Sequence, residues 1–269
     1  MPRISVLMGI YNCASTLQEA LDSLYAQTYS DFQIIMCDDG STDNTFEIAQ
    51  NNQKRHANII LLQNGKNMGL NYTLNQCLKY ANTELIARMD GDDISKPERF
   101  EVEVKFLDEH PNYGVVSTPC TYFDQEGIFR VGIGKGEVKP NDFIYRSPIS
   151  HAPCMARTEV FKAVGGYTVD KRLLRVEDYN LWFKIYQAGF KLYQMHDSYY
   201  MMRDDRNATL RRTWRNRINE FYVKWIGYPM VGLPWYTRIH CFRPLIIGLL
   251  PNSLYQKIRR SPLMRKIFK

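Results

Sequence analysis

Short apolar runs and amphipathic stretches alternate along residues 3–124 of this chain. An apolar run at 4–8 predicts a strand, and the next stretch, 14–27, sets Leu17, Ala20, Leu21, Leu24 and Tyr25 at helical spacing. The alternation continues with a strand at 32–37, a helix at 43–54 entered through Thr42 or Asp43, a strand at 58–62, a helix at 70–80, a strand at 85–89 and a helix at 97–110. This order predicts an α/β fold with a mostly parallel central sheet, right-handed crossovers and flanking helices. From 115 to 131 the pattern shifts to short strands with glycine-containing turns, which predicts a mixed sheet there. Residues 132–150 are rich in Gly, Pro and Ser and weakly periodic, a long loop of the kind that carries function. Helices return at about 157–164 and 177–188.

Polar residues gather at the strand ends. Asp90, Asp92 and Asp93 follow the run Leu85-Ile86-Ala87-Arg88-Met89, with Gly91 between them to let the backbone turn. Carboxylates this close repel. A divalent cation with oxygen ligands offsets the charge and usually keeps substrate phosphates in its shell. In an open α/β sheet, ligands bind outside the carboxyl ends of strands, where Tyr11-Asn12 and Asp38-Asp39 also fall. The placement points to a metal–diphosphate site beside a mononucleotide. A solvated acidic turn, or a cap for the helix near Pro97, accounts for the acid cluster about equally well from these residues alone. Ser41 and Asp43 read as an Asx-turn and helix cap, and Asp39 as a ligand to a base N–H or to ribose hydroxyls. Gly65-Lys66-Asn67-Met68-Gly69 lacks both the Walker spacing and its Lys-Ser/Thr ending.

Hydrophobic content of 45% and charged content of 23% over 269 residues allow a substantial core. Six scattered cysteines without a C-x-x-C pair read as free thiols in a reducing compartment. No secretory segment precedes the first strand, and no apolar stretch reaches the roughly 18 residues of a spanning helix, so a cytoplasmic location is expected. Charge divides the chain in two. Residues 205–269 hold 14 Lys/Arg and 2 Asp/Glu, a net of +12, which leaves −5 for 1–204. The expected domains are a body at 1–204, with halves at about 1–124 and about 125–204, and a basic amphipathic helical region at 205–269.

A set of ordered motifs resembles the family 2 inverting glycosyltransferases of GT-A fold, of the bacterial surface-polysaccharide type. The set opens with Ile4-Ser5-Val6-Leu7-Met8-Gly9-Ile10-Tyr11-Asn12, then residues 27–35, then Asp38-Asp39-Gly40-Ser41-Thr42-Asp43-Asn44-Thr45. Asn67-Met68-Gly69-Leu70 and Ala87-Arg88-Met89-Asp90-Gly91-Asp92-Asp93, with Pro97 and Arg99, continue it; Gly165-Gly166-Tyr167 and Glu177-Asp178-Tyr179-Asn180-Leu181-Trp182 complete it. The match covers about 1–203, and the joint order is far more specific than any single fragment.

The resemblance implies roles. Tyr11 and Asp39 would contact the base, usually uracil, with Asn67, Arg88 and Asp90 on the nucleotide side. Asp90 and Asp92 fall on the DxD-type motif. Asp92 would hold Mn²⁺ or Mg²⁺, with Asp90 and Asp93 in support. Asp178 would be the catalytic base, with Glu177 beside it. His151, Trp182 and Arg203 would lie on the acceptor or diphosphate side. Two departures matter. The Gln/Arg-x-x-Arg-Trp motif of processive members is missing, which argues against repeated polymer extrusion. Asp204 stands where the family usually has His, so no His metal ligand is expected there.

Read without the resemblance, Glu177-Asp178 is also favourable charge at a helix N-terminus, Trp182 a core residue and His151 a structural histidine. The leading function is non-processive, inverting sugar transfer from a nucleotide-sugar, a UDP-sugar foremost, to a lipid-linked or polysaccharide acceptor. A nucleotidyltransferase would use the same acids and metal, but the loop after the first strand, Gly9-Ile10-Tyr11-Asn12-Cys13, has no basic residue. A noncatalytic glycan- or nucleic-acid-binding protein is the third reading. The tail, with Trp214, Phe221, Trp225, Trp235, Tyr236 and Phe242 among its cations, predicts attachment to an anionic membrane surface rather than to nucleic acid. Helical packing on the body is the alternative.

Overall fold

The computed structural model describes residues 2–204 and 213–249. The tail positions 205–212 and 250–269 lie outside these residues. The first half follows the predicted alternation: β1 (Ile4–Ile10), α1 (Leu17–Tyr25), β2 (Phe32–Asp38), α2 (Thr45–Arg55), β3 (Ile59–Gln63), α3 (Leu70–Leu78) and β4 (Leu85–Arg88). A two-residue strand β5 (Ile94–Ser95), α4 (Arg99–Glu109), β6 (Tyr113–Ser117), β7 (Cys120–Asp124), β8 (Gly127–Val131) and β9 (Gly136–Glu137) come next. Then follow β10 (Cys154–Arg157), α5 (Thr158–Val164), α6 (Glu177–Gln187), β11 (Lys191–Gln194) and β12 (Tyr200–Arg203).

The main sheet runs β3-β2-β1-β4-β10-β6-β11-β9. Its first four strands are parallel. Strand β10 enters antiparallel between β4 and β6, so the sheet is mixed beyond the nucleotide half. A smaller sheet, β5-β12-β7-β8, lies beside it. Ile10 pairs with Asp38 and Leu7 with Arg88. The parallel register therefore brings the carboxyl ends of β1, β2 and β4, and the acids that follow them, to one edge.

Alternate residues of the central strands enter two cores. Val6, Met8, Ile34 and Met36 pack with Leu17, Leu21 and Leu24 of α1 and with Phe100 and Leu107 of α4. Leu7, Ile35 and Cys37 face the other way, into a core shared with Leu74 of α3 and with Trp182 and Phe183 of α6. Each fully buried side chain of this kind stabilises the fold by about 1.5–3 kcal/mol.

The C-terminal region adds α7 (Trp214–Met230), a 3-10 turn (Trp235–Phe242) and α8 (Arg243–Leu249). Val223, Tyr228, Val231 and Cys241 belong to the same core as α6. A Cβ on Gly227 would lie 2.2 Å from Phe183 Cδ2, so α7 approaches α6 at a distance only glycine permits. No helix among the described residues is long and apolar enough to cross a membrane.

Candidate active site

The loops after β1 and β2 hold each other. Asn12 adopts φ +48, a left-handed geometry that asparagine tolerates, and its Oδ1 accepts from Thr42 N at 2.9 Å. Ser41 Oγ accepts from Asn12 N at 3.0 Å. Asp43 accepts from Thr45 N and Ala14 N, an Asx-turn one residue before Asn44, which is the N-cap of α2 in place of the expected Thr42 or Asp43. Asp39 is buried, and its two oxygens accept from Asn64 Nδ2, Met68 N and Gly69 N, all at 2.8 Å. It fixes the 64–69 loop and leaves Asn67 exposed on that loop's rim. Gly40, at φ +72, lets this loop in, since a Cβ there would lie 2.7 Å from the backbone of Lys66. Tyr11 stands half-exposed just beyond β1.

Oxygens of Asp90, Asp92 and Asp93 all lie within 4.8 Å of one another. Gly91 serves close packing here, because a Cβ would meet Cys13 Sγ at 2.8 Å and Ile10 at 3.1 Å. Asp90 pairs with Arg88 Nη2, and its N–H donates to Tyr200 Oη at 3.2 Å. Asp93 is buried. Its Oδ1 accepts from Arg203 N at 2.8 Å, while its Oδ2 is buried without a hydrogen-bond partner among the described residues. Burial, then the charges of Asp90 and Asp92, push the Asp93 carboxyl well above the usual carboxylate range. Desolvation by the surrounding protein, then Asp90, moves Asp92 the same way. A compact set of hard oxygen donors with one buried oxygen unpaired fits Mn²⁺ or Mg²⁺. Arg203 clamps this loop: its Nε donates to Asp92 O at 3.0 Å, and its guanidinium pairs with Glu19 and lies over the Phe123 ring.

A second cluster sits at the start of α6. Asp178 Oδ2 accepts from Ser147 Oγ at 2.9 Å. Burial raises the Asp178 carboxyl, against the pull of Ser147, the Tyr179 N–H and the charge of Arg88. Glu177 is also raised by burial, and its Oε2 is buried without a hydrogen-bond partner among the described residues. His151 Nε2 lies 2.8 Å from Tyr167 Oη. Burial, then the positive charge of Arg88, pushes the His151 ring well below its usual range. Trp182 is fully buried, its ring 5.9 Å from His151 and edge-on to it, so it backs the site from the core rather than forming its wall. Arg88 is likewise buried, and its Nε has no hydrogen-bond partner among the described residues. Its charge acts on Asp90, Asp178 and His151 alike. One buried cation is therefore paired with the acid loop and felt by the carboxylate and imidazole of the α6 cluster.

Sequence reasoning gave no role to Ser147, Tyr167, Tyr200 or Glu19. Tyr167 carried a signal in Gly165-Gly166-Tyr167. Asn75 donates to Tyr167 O at 2.8 Å and accepts from Tyr167 N at 2.9 Å, which sets the tyrosine against His151. Ser147 carried none, lying in a segment of weak periodicity.

A parallel sheet edge with a compact acid loop, and a carboxylate at the start of α6, is the layout of a GT-A-type fold. The glycosyl transferase family 2 model matches residues 5–165, and the chain belongs to that family. It is 34% identical over 266 residues to EpsE of Bacillus subtilis strain 168, a protein named as a glycosyltransferase, with 98% of this chain and 96% of that one covered. It is 31% identical over 276 residues to an Escherichia coli UDP-Gal:α-D-GlcNAc-diphosphoundecaprenol β-1,3-galactosyltransferase, covering 96% of this chain and 97% of that one. The mannosyltransferase PcManGT of Pyrobaculum calidifontis, solved with GDP-Man and Mn²⁺, superposes with a TM-score of 0.62 at 19% identity, covering 98% of this chain and 82% of that one.

Proposed function

We propose that this glycosyltransferase moves a sugar from a UDP-sugar to a hydroxyl of a lipid-linked or growing surface-glycan acceptor, once per encounter and with inversion. The observation that carries the reading is Asp178: a carboxylate in the first turn of α6, held by Ser147 Oγ at 2.9 Å and raised by burial, within the field of the cation that pairs with the acid loop. The acceptor oxygen attacks the anomeric carbon as its proton passes to Asp178. The bond from that carbon to the diphosphate oxygen breaks, and the diphosphate leaves with the electron pair. Asp92, Asp90 and Asp93 would hold a Mn²⁺ or Mg²⁺ ion, which supplies charge neutralisation to a departing diphosphate. Tyr11 and Asn67 would face the base and ribose, while Asp39 keeps the 64–69 loop in register beneath them. The E. coli relative's name, with its UDP-sugar and diphosphoundecaprenol-linked acceptor, supports this donor and acceptor class; a place on the inner face of the cell membrane belongs to the same proposal.

Incubation with a panel of nucleotide-sugars and Mn²⁺, read as free nucleoside diphosphate in the presence of acceptor lipids, tests the reading. Release of UDP with an inverted anomeric linkage in the product is expected. Release of pyrophosphate from a nucleoside triphosphate and a sugar phosphate would instead assign a nucleotidyltransferase. No turnover of any donor would leave a binding protein.

A further inference from the structure

The C-terminal helices bury one face in the catalytic body and leave the other apolar. Along α7, Asn219, Val223, Gly227 and Tyr228 point inward and are buried. Trp214, Ile218, Phe221 and Trp225 recur at three- and four-residue steps on the outer side, part-exposed or exposed. The following segment repeats the pattern. Thr237, Cys241 and Pro244 are buried, whereas Trp235, Ile239, Phe242, Ile246 and Leu249 are exposed, Trp235 to 83%, Ile239 to 72% and Leu249 to 76%. The two outer rows adjoin. Phe242 lies 5.1 Å from the Phe221 ring and 6.4 Å from that of Trp225, and a Cβ on Gly248 would touch Trp214.

The charges around this face have one sign. Arg238 lies over the Trp225 ring at 4.7 Å, and Arg215 is exposed near the start of α7. Glu220 is the sole acidic residue of 213–249, and it pairs with the buried Lys224 at 2.9 Å. The sequence beyond, 250–269, adds six Lys/Arg and no acid. A contiguous exposed apolar surface marks an interaction site. Aromatic and aliphatic side chains edged by cations without exposed acids complement an anionic bilayer, with apolar groups at the headgroup boundary and cations on the lipid phosphates. Nucleic acid would match the cations but leave Ile239, Ile246 and Leu249 in water.

The face also stands one layer from the candidate base. Lys224 Nζ and Arg243 Nη1 each donate to Tyr145 O at 3.4 Å, and Tyr228 Oη donates to Ile144 O at 2.6 Å. Tyr145 lies two residues before Ser147, which holds Asp178. We propose that the outer face of α7, the 3-10 turn and α8 docks on an anionic membrane surface and sets the Asp178 side of the site towards a lipid-linked acceptor. The orientation rests on the acceptor class proposed above; the docking itself does not.

The test is co-sedimentation of the full chain with vesicles of equal parts phosphatidylglycerol and phosphatidylethanolamine, and separately with phosphatidylcholine vesicles, without donor or acceptor. Wild type should bind the anionic vesicles at least tenfold more strongly than the neutral ones, with a blue shift of tryptophan emission. The triple variant Trp235→Ser/Ile239→Ser/Leu249→Ser, altered only at exposed positions, should lose at least tenfold in binding while keeping its circular dichroism. Arg215→Gln/Arg238→Gln should weaken binding and flatten its salt dependence. Equal binding by wild type and the triple variant would overturn the proposal, as would no preference for anionic lipid. Concentration-dependent self-association abolished by the triple variant, without vesicle binding, would reassign the face to a second copy of the chain. Vesicle binding by a protein that turns over no nucleotide-sugar would keep the docking and remove the proposed function.

Discussion

Ser147 donates its hydroxyl to Asp178 Oδ2 at 2.9 Å, joining the long loop before β10 to the first turn of α6. The bond favours the ionised carboxylate, while burial favours the protonated one and prevails, so the Asp178 carboxyl sits above its usual range. A base must be ionised to accept a proton. Activity should therefore fall as pH drops through a value higher than that of an ordinary aspartate. Removing the Ser147 bond raises that value further. The pH profile of kcat/KM for Ser147→Ala should have its acid limb displaced upward, with the largest loss at acid pH and partial recovery at alkaline pH. A uniform loss at every pH would make Ser147 merely a packing residue.

Asp92→Asn should abolish most turnover while leaving the fold intact. The residue stands among like charges, and its carboxyl is already raised by desolvation and by Asp90, so removing its charge should leave the thermal midpoint of the metal-free protein unchanged or slightly raised. Mn²⁺ at about a hundred times its dissociation constant should stabilise wild type by about 2.7 kcal/mol. Thermal unfolding with and without Mn²⁺ checks both points. An undiminished metal shift in Asp92→Asn would move the ion elsewhere.

Arg99 and Glu103 form an ion pair at 3.2 Å with neither side chain exposed. Arg99 Nη2 also donates to Arg88 O at 2.9 Å, at the end of β4 where the acid loop begins. Glu103→Leu leaves a buried cation unpaired and should cost about 3–5 kcal/mol, whereas Arg99→Met/Glu103→Leu should recover much of it. Urea titration of the three proteins decides. A single variant within about 0.5 kcal/mol of wild type, the range of an ordinary surface substitution, would show that the pair is not buried as described.

Much of this was legible because parallel strands buried on both faces leave apolar runs between amphipathic helices. The apolar run at 4–8, which the structure extends to Ile10, and the acids of 90–93 needed no tertiary information. What escaped depends on distant pairing. Cys154–Arg157, Lys191–Gln194 and Tyr200–Arg203 are four-residue strands of mixed polarity, defined by the partners they find in β4, β6 and β7. The Asp39 carboxylate, read as facing a ligand, is shared among three donors of the 64–69 loop, an arrangement invisible before the loop is placed. The basic tail was read as apart from the body because its charge differs. Its inward residues, Val223 and Tyr228, enter the core of α6 all the same.

Gly227 marks that junction. Its replacement by alanine puts a methyl where Phe183 already lies, 2.2 Å away. Overpacking of this kind costs about 1–3 kcal/mol, so Gly227→Ala should lower stability by that amount in denaturant titration. No loss would mean that α7 docks more loosely than the structure shows.

The most direct test of the central claim is steady-state turnover and donor affinity of Asp178→Asn, measured with the UDP-sugar that the panel selects. If Asp178 is the base of a single displacement, kcat falls by about 10²–10⁴-fold while the donor dissociation constant stays within about threefold of wild type, a difference of less than 1 kcal/mol. Turnover at the wild-type rate, with Glu177 intact, would contradict the account and move the base away from Asp178.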